Sequence, residues 1–325
     1  MRNVARCVIV AAVICFSTVR CDGESAPICD SGRLTAALES AGPGDTVRVG
    51  TCRVAGAFAV PAGVALVGEG SGASILVSSG QRPVVRVEPG TSGTRLADVA
   101  VESAANYGVF VADGAGSATV ERVVVTSSRG VALGAQGTAE LTLSDVELRG
   151  PVTRDNQLSF GVNPQPATAP THGLVLVEVA SAQLTNVTAT GFAMFGALLV
   201  ESATTWTGGG APRNMGNGLM VHDGTAHLEG LDFSGTFGDY LLMPAYGAVF
   251  AADAVVDTVD LTVSDGANFG LLHDHAAVTH DGLKANHNVH AAVWVQNCPS
   301  IRITGAGTEM TSNGLGGVIT VDTPN

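Results

Sequence analysis

The sequence predicts an all-β solenoid, and three observations carry that prediction. A glycine-opened apolar triplet recurs about every twenty-two residues, a leucine–x–Asp/Asn–valine pattern sits between the triplets, and glycine is plentiful while rings are few. The triplets open at Gly108, Gly130, Gly173, Gly196, Gly218, Gly247, Gly270 and Gly316, with spacings of 22, 43, 23, 22, 29, 23 and 46 residues. Each spacing is one period, two periods, or one period with an insertion. Units of this length cannot bury a core singly and must stack. Glycine makes up 42 of 325 residues and aromatics 5%, which suits tight turns around a slender core. The repeat runs from about Val47 to the C-terminus, so one elongated domain over residues 29–325 is expected.

Residues 1–20 have the form of an export signal. Arg2 and Arg6 precede an apolar run from Cys7 to Phe16 that is too short to span a bilayer. Cys21 stands where a bacterial lipoprotein carries its lipid, although Arg20 breaks the small-residue rule before it. Lipidation and plain secretion therefore both stay open. Removing residues 1–20 takes away Arg2, Arg6 and Arg20 and no acid, which moves the formal charge from −13 to −16. Such a balance repels polyanions, argues against nucleic acid as a partner and weighs against a polyuronate substrate. The expected protein is monomeric and is secreted or held at a bacterial cell envelope, periplasmic or outward-facing, meeting a membrane only through a lipid on Cys21.

Cys29 and Cys52 flank the first ordered element and would pair after export, two unpaired small residues being the alternative. Cys298 is then odd and reads as a buried thiol. Asp30 and Ser31 can cap a short helix over 31–41 whose Leu34, Ala37, Leu38 and Ala41 follow helical spacing. Gly42-Pro43-Gly44 ends it, and an alternating strand starts at Asp45. A helix there would cover the open end of a solenoid. Strand starts follow near Val47, Val64, Val84, the opening glycines and Ala291, about twelve rungs in all. Between them come Leu96-Ala97-Asp98-Val99, Leu143-Ser144-Asp145-Val146, Leu184-Thr185-Asn186-Val187 and Leu228-Glu229-Gly230-Leu231, where the third residue is a turn former that bends the chain between sheets.

The helix followed by Pro43-Gly44-Asp45-Thr46-Val47, together with these mid-rung patterns, resembles the right-handed parallel β-helix proteins of the pectate-lyase-like superfamily. The resemblance covers about residues 29–325. It implies the fold and leaves the activity open, because that fold hosts lyases, hydrolases, epimerases, adhesins and inert scaffolds. The chain lacks Trp-x-Asp-His, paired Asp-Asp, Gly-His-Gly and Asp-Pro-His, and Arg302-Ile303-Thr304 lacks the lysine of the polygalacturonase-like Arg-Ile-Lys. No family site transfers residue by residue. Asn186-Val187-Thr188 matches a glycosylation signal but equally fits the rung pattern.

Several residues are candidates for function. Insertions expected at 151–172, 206–217 and 233–246 share one phase of the repeat and should wall one edge. They carry Trp206 and Tyr240 for stacking on sugars and Arg154, Arg213 and Asp239 for polar contacts. Glu178, Glu201 and Asp223 share an offset from the opening glycine on consecutive rungs, about 4.8 Å apart. Such a column would raise one pKa or hold calcium, as family lyases gather that ion without a shared motif, and with Arg213 it is the candidate catalytic set. A solvated row of turn residues is the alternative. Tyr107, His172, Phe195, Tyr246 and Phe269 precede opening glycines and are expected to stack inside a corner. The stripe of Phe110, Val175, Leu198, Met220, Val249 and Leu272 faces outward if its neighbours face the core. His273 and His275 could share a strand face as a two-histidine site, the other histidines being surface turns. The expected function is a non-catalytic scaffold that binds a polysaccharide or cell-surface component. The alternative is a polysaccharide lyase or hydrolase working in a loop-walled groove, and convergence of the carboxylates with an arginine would separate the two.

Overall fold

The structure is a computed structural model that describes residues 26–78, 80–91, 93–152, 171–237, 245–266 and 268–321. The expected export signal and Cys21 fall outside these residues, as do Arg154, Asp239 and Tyr240. Strands stack in parallel into one 16-stranded and one 11-stranded sheet. One turn can be followed through residues 117–136. Ser117–Glu121 lies in the first limb of the larger sheet, Arg122 turns the chain, and Val124–Ser127 forms the second limb. Gly130–Gln136 then belongs to the 11-stranded third face. Ser181–Thr190 runs unbroken through both limbs and joins them into one sheet. Three corners separate these faces: a limb corner, an entry corner before the third face and an exit corner after it.

The third face holds one strand per turn, so the solenoid has about 11 turns rather than twelve. Val47 and Val64 open strands of the first limb, where Val47 pairs with Leu66, and the third face begins at Phe58–Val60. The repeat was also offset at two glycines. Leu133 pairs with Val109, which sets Ala132 opposite Gly108, whereas Gly130 pairs with Thr171. At the last turn Val318 pairs with Val293, so Gly317 holds the opening position instead of Gly316.

The opening glycine has a steric cause. A Cβ added at Gly173 would lie 2.3 Å from the Gly196 carbonyl oxygen and 2.8 Å from the Ala189 side chain. The same addition at Gly196 would meet Ala211 Cβ at 2.5 Å. There the third face folds against the second limb, and two walls leave no room for a side chain. At the limb corner, Asp98, Asp145, Asn186 and Gly230 all have φ between 53° and 62°, a left-handed conformation that Asp, Asn and Gly adopt more readily than other residues.

The core consists of inward columns in register. Leu143, Leu184, Trp206 and Leu228 follow one another along the first limb, facing Leu176, Leu199, Val221 and Phe250 from the third face. All eight are buried. The helix Ser31–Ser40 closes the N-terminal end and buries Leu34 and Leu38, and Asp30 caps it by accepting the Arg33 amide at 2.8 Å. Cys29 and Cys52 are joined by a disulfide with their Cα atoms 5.8 Å apart. Cys298 is a half-buried free thiol.

Candidate functional site

The entry corner forms a lengthwise groove. Gly150, Gly191, Arg213, Gly235, Asp265 and His287 occupy the same place on six consecutive turns, and all six line a groove of about 970 Å³. Five intervals at sheet spacing make it about 24 Å long. Gly191, Arg213, Gly235, Asp265 and His287 have φ between 56° and 77°. This left-handed turn, repeated on five of the six rungs, points the next residue inward. Asn214 and Asn288 take that inward place and are buried. Asn214 accepts the Phe192 amide at 2.8 Å and donates to the Ala211 carbonyl at 2.8 Å. Asn288 accepts the Gly266 amide at 3.0 Å and donates to Asn313 Oδ1 at 3.1 Å. These amides satisfy corner backbone that would otherwise be buried without partners, and so they fix the groove floor.

The groove is mixed in chemistry. Arg149 and Glu147, outward on one strand, form a two-point ion pair with both contacts at 2.6 Å. His287 Nδ1 stands 3.8 Å from Asp265 Oδ1, and both side chains are largely exposed. Arg213 has no ion-pair partner among the described residues. Phe237 and Val152 supply apolar wall. They also pack with Ala193 in a small separate cluster, so the roots of the insertions after Val152 and Phe237 meet on one edge. The expected insertion at 206–217 does not exist: Ala203–Gly210 is a continuous strand paired on both sides.

Glu178, Glu201 and Asp223 do stack on consecutive turns, at the exit corner. Their φ values are 54°, 48° and 50°, and their amides donate to Val200, His222 and Ala251. All three are exposed. Among the described residues no group of three His, Cys, Asp or Glu side chains is arranged to hold a metal ion, this column included. Arg213 stands at the entry corner, separated from Asp223 by the strand Asn217–His222. The carboxylates and the arginine therefore occupy opposite ends of the third-face strands and cannot act on one bond. Trp206 is no sugar platform: it is fully buried in the leucine column, edge-on to Phe233, with Nε1 donating to the Gly208 carbonyl at 3.2 Å.

The ring ladder lies on the other side of the wall from its expected place. Because the glycine fills the inner corner, the preceding ring turns outward onto the third face. His172 stacks on Phe195 with centroids 5.6 Å apart, and Tyr246 on Phe269 at 5.8 Å. The stripe of Phe110, Val175, Leu198, Met220 and Leu272 is half-buried on the outer side beside it, alternating with buried neighbours such as Val109, Leu174 and Leu271, while Val249 in the same row is buried. His273 and His275 do not share a face. His273 is buried, whereas the strand ends at Asp274 and His275 turns outward with φ 53°, bonded to Asp274 at 2.6 Å.

Glu147, Arg149, Phe237, Asp265 and His287 were not among the sequence candidates. A signal existed in Arg213-Asn214, His287-Asn288 and Ser312-Asn313, each a turn residue followed by an inward asparagine at the same phase.

No protein-family model matches the chain, and no curated protein matches it in sequence. Solved structures match in fold. The A-module of the mannuronan C-5 epimerase AlgE4 of Azotobacter vinelandii superposes with a TM-score of 0.57 at 14% identity, covering 92% of this chain and 94% of that one. Tailspike protein 2 of the Escherichia coli O157:H7 bacteriophage CAB120 gives 0.59 at 10% identity, over 84% of this chain and 41% of the tailspike. The Dettilon tailspike gives 0.58 at 10% identity, over 89% and 64%. The chain has the fold of the right-handed parallel β-helix proteins.

Proposed function

We propose that this protein is an exported glycan-binding scaffold that holds a polysaccharide lengthwise in the entry-corner groove without cleaving it. The observation that carries the reading is the groove itself, about 24 Å of mixed polar and apolar lining repeated at rung spacing. A polymer with a regular repeat can meet equivalent contacts turn after turn, and Arg213, Asp265 and His287 offer donors and acceptors for sugar hydroxyls. Fold neighbours that include a mannuronan epimerase support a glycan. The separation of Arg213 from the exit-corner carboxylates supports binding without turnover. The N-terminal export pattern and the Cys29–Cys52 bond support an oxidising compartment outside the cytoplasm.

The test is affinity electrophoresis through labelled dextran, laminarin and alginate, with assays for new reducing ends and unsaturated products. At least one polymer should retard the wild type, and Arg213→Asn should weaken that retardation about tenfold, the scale of one lost charged contact. Asparagine is chosen because Arg213 holds φ 57°, which asparagine tolerates. Absence of retardation on every polymer overturns the binding reading, and product formation replaces it with the enzyme reading.

A further inference from the structure

Two imidazoles sit inside the core beneath the C-terminal half of the groove. His273 and His280 are both fully buried. In the third-face column His273 takes the place after Phe250 and before Val295. In the first-limb column His280 follows Thr258 and precedes Ile303. Two turns earlier both positions are apolar, at Val221 and Leu228. The Nε2 atoms of the two rings are 3.3 Å apart, and His280 Nδ1 meets Thr258 Oγ1 at 2.7 Å. Phe250 packs on both rings, and among the described residues His273 Nδ1 has no hydrogen-bond partner.

This contact tolerates one proton count only. A bond between two Nε2 atoms needs one N–H and one bare nitrogen, so a further proton removes the acceptor and sets N–H against N–H. It would also place a cation in an apolar core with no carboxylate beside it. The charged groups on the surrounding strands point away. Asp257 pairs with His227, Asp274 pairs with His275, and Asp281 and Arg302 are exposed. Burial lowers His280 to about 4, with Asp257 opposing weakly, and burial together with His280 holds His273 well below the ordinary 6.5.

The same turns build the groove. The strand Ala277–Asp281 carries His280 and leads through Lys284 to His287, while Asp265 lies on the preceding turn. We propose that the His273–His280 pair is an acid-release device, whose protonation loosens the turns bearing Asp265 and His287 and frees a glycan held there. This rests on the glycan-binding reading of the groove. The sign is set by the lowered folded pKa values. Above 6.5 the folded and opened forms are both neutral and the closed form is fully favoured. As pH falls from 6.5 towards about 4, only the opened form takes protons. The closed-to-open ratio then drops by up to ~10-fold per pH unit for each ring, ~100-fold for the pair.

Amide hydrogen exchange on the whole protein, corrected for intrinsic rates, tests this at pH 7 and pH 5. Protection over 271–296 should fall by about two to three orders of magnitude, while residues 94–149, which contain no histidine, change by less than about tenfold. Equal change in both regions overturns the proposal. The H273L/H280L variant should lose the contrast. If it fails to fold, His280→Gln, which keeps a polar group for Thr258 but takes no proton, should roughly halve the pH slope. An unchanged slope in a folded variant also overturns it. In a second arm, the polymer retained at pH 7 among dextran, laminarin and alginate should be released at pH 5 by the wild type and kept by the variant. Equal release by both sinks the release role and leaves the groove reading standing. Absence of binding at pH 7 sinks the groove reading and the release role together, whatever hydrogen exchange shows.

Discussion

At its N-terminal end the solenoid is closed by the helix Ser31–Ser40, whose Leu34 and Leu38 complete the apolar core, and by the Cys29–Cys52 bond. The next turns carry aliphatic columns such as Leu96, Val120 and Leu143. Ion pairs stitch their outer faces: Arg122 bonds Asp98 at 2.7 and 2.9 Å, Arg95 joins Glu121, and Arg53 joins Glu102. The C-terminal turns put Thr258 and His280 into the same column. Asparagines brace their corner, and Ile301, Ile303 and Met310 are only partly buried. The contrast teaches that a solenoid need not be uniformly stable, because each turn depends mainly on its neighbours. Polar substitutions in one stretch of the core can therefore set the stability of that stretch while leaving the distant turns alone.

The largest expected effect breaks the comparison from the N-terminal side. Replacing Cys29 and Cys52 together by serine should cost about 2–4 kcal/mol in urea unfolding at pH 7, the usual range for losing a native bridge. The bridge lies far along the chain from the imidazoles, so the acid sensitivity of residues 271–296 should be unchanged. A loss of acid sensitivity in this variant would show that the two ends unfold as one unit.

Thr258→Val sharpens the comparison from the other side. It removes the hydroxyl that meets His280 Nδ1 at 2.7 Å and leaves a buried ring nitrogen without a partner, at about 1–3 kcal/mol. Local hydrogen exchange should register this in the C-terminal turns and not over 94–149. A loss of stability below about 0.5 kcal/mol, the surface-substitution range, would mean that the contact contributes nothing to those turns.

The smallest effects belong to the outer surface. Arg122→Asn, compatible with the φ of 52° at that position, should lower stability slightly at low salt and by less at high salt, because the ion pair is exposed to screening. Glu201→Asn should change the melting temperature by no more than a surface substitution does, a few tenths of a kcal/mol, with or without calcium. A calcium-dependent rise in melting temperature that this variant abolishes would restore the exit-corner column as a cation site.

Some features were legible because they are local or periodic. The capped helix, the rung length and the Asp/Asn corner turns are encoded by residues near one another, where backbone preference acts directly. The exit-corner column was also legible, since a common offset on consecutive turns places Glu178, Glu201 and Asp223 in line. The place of Trp206 is not legible, because the 22-residue interval between Gly196 and Gly218 is a normal period without an insertion and only strand register pairs Trp206 with Leu184 and Leu228.

By itself the sequence determined that the chain stacks as a β-solenoid, that a helix closes one end, and which residues turn its corners. Those outcomes follow from short-range sterics and from a period that any two turns share. The tertiary structure alone decided which side of the wall each side chain occupies. A single bend at the opening glycine turned the rings outward, and strand register buried Trp206. Register also brought His273 and His280, from two different faces, to within 3.3 Å. Alternation along a strand has a period of two, so one bend or a one-residue offset reverses in and out. The groove lining comes from residues on six turns that meet only once the turns are stacked.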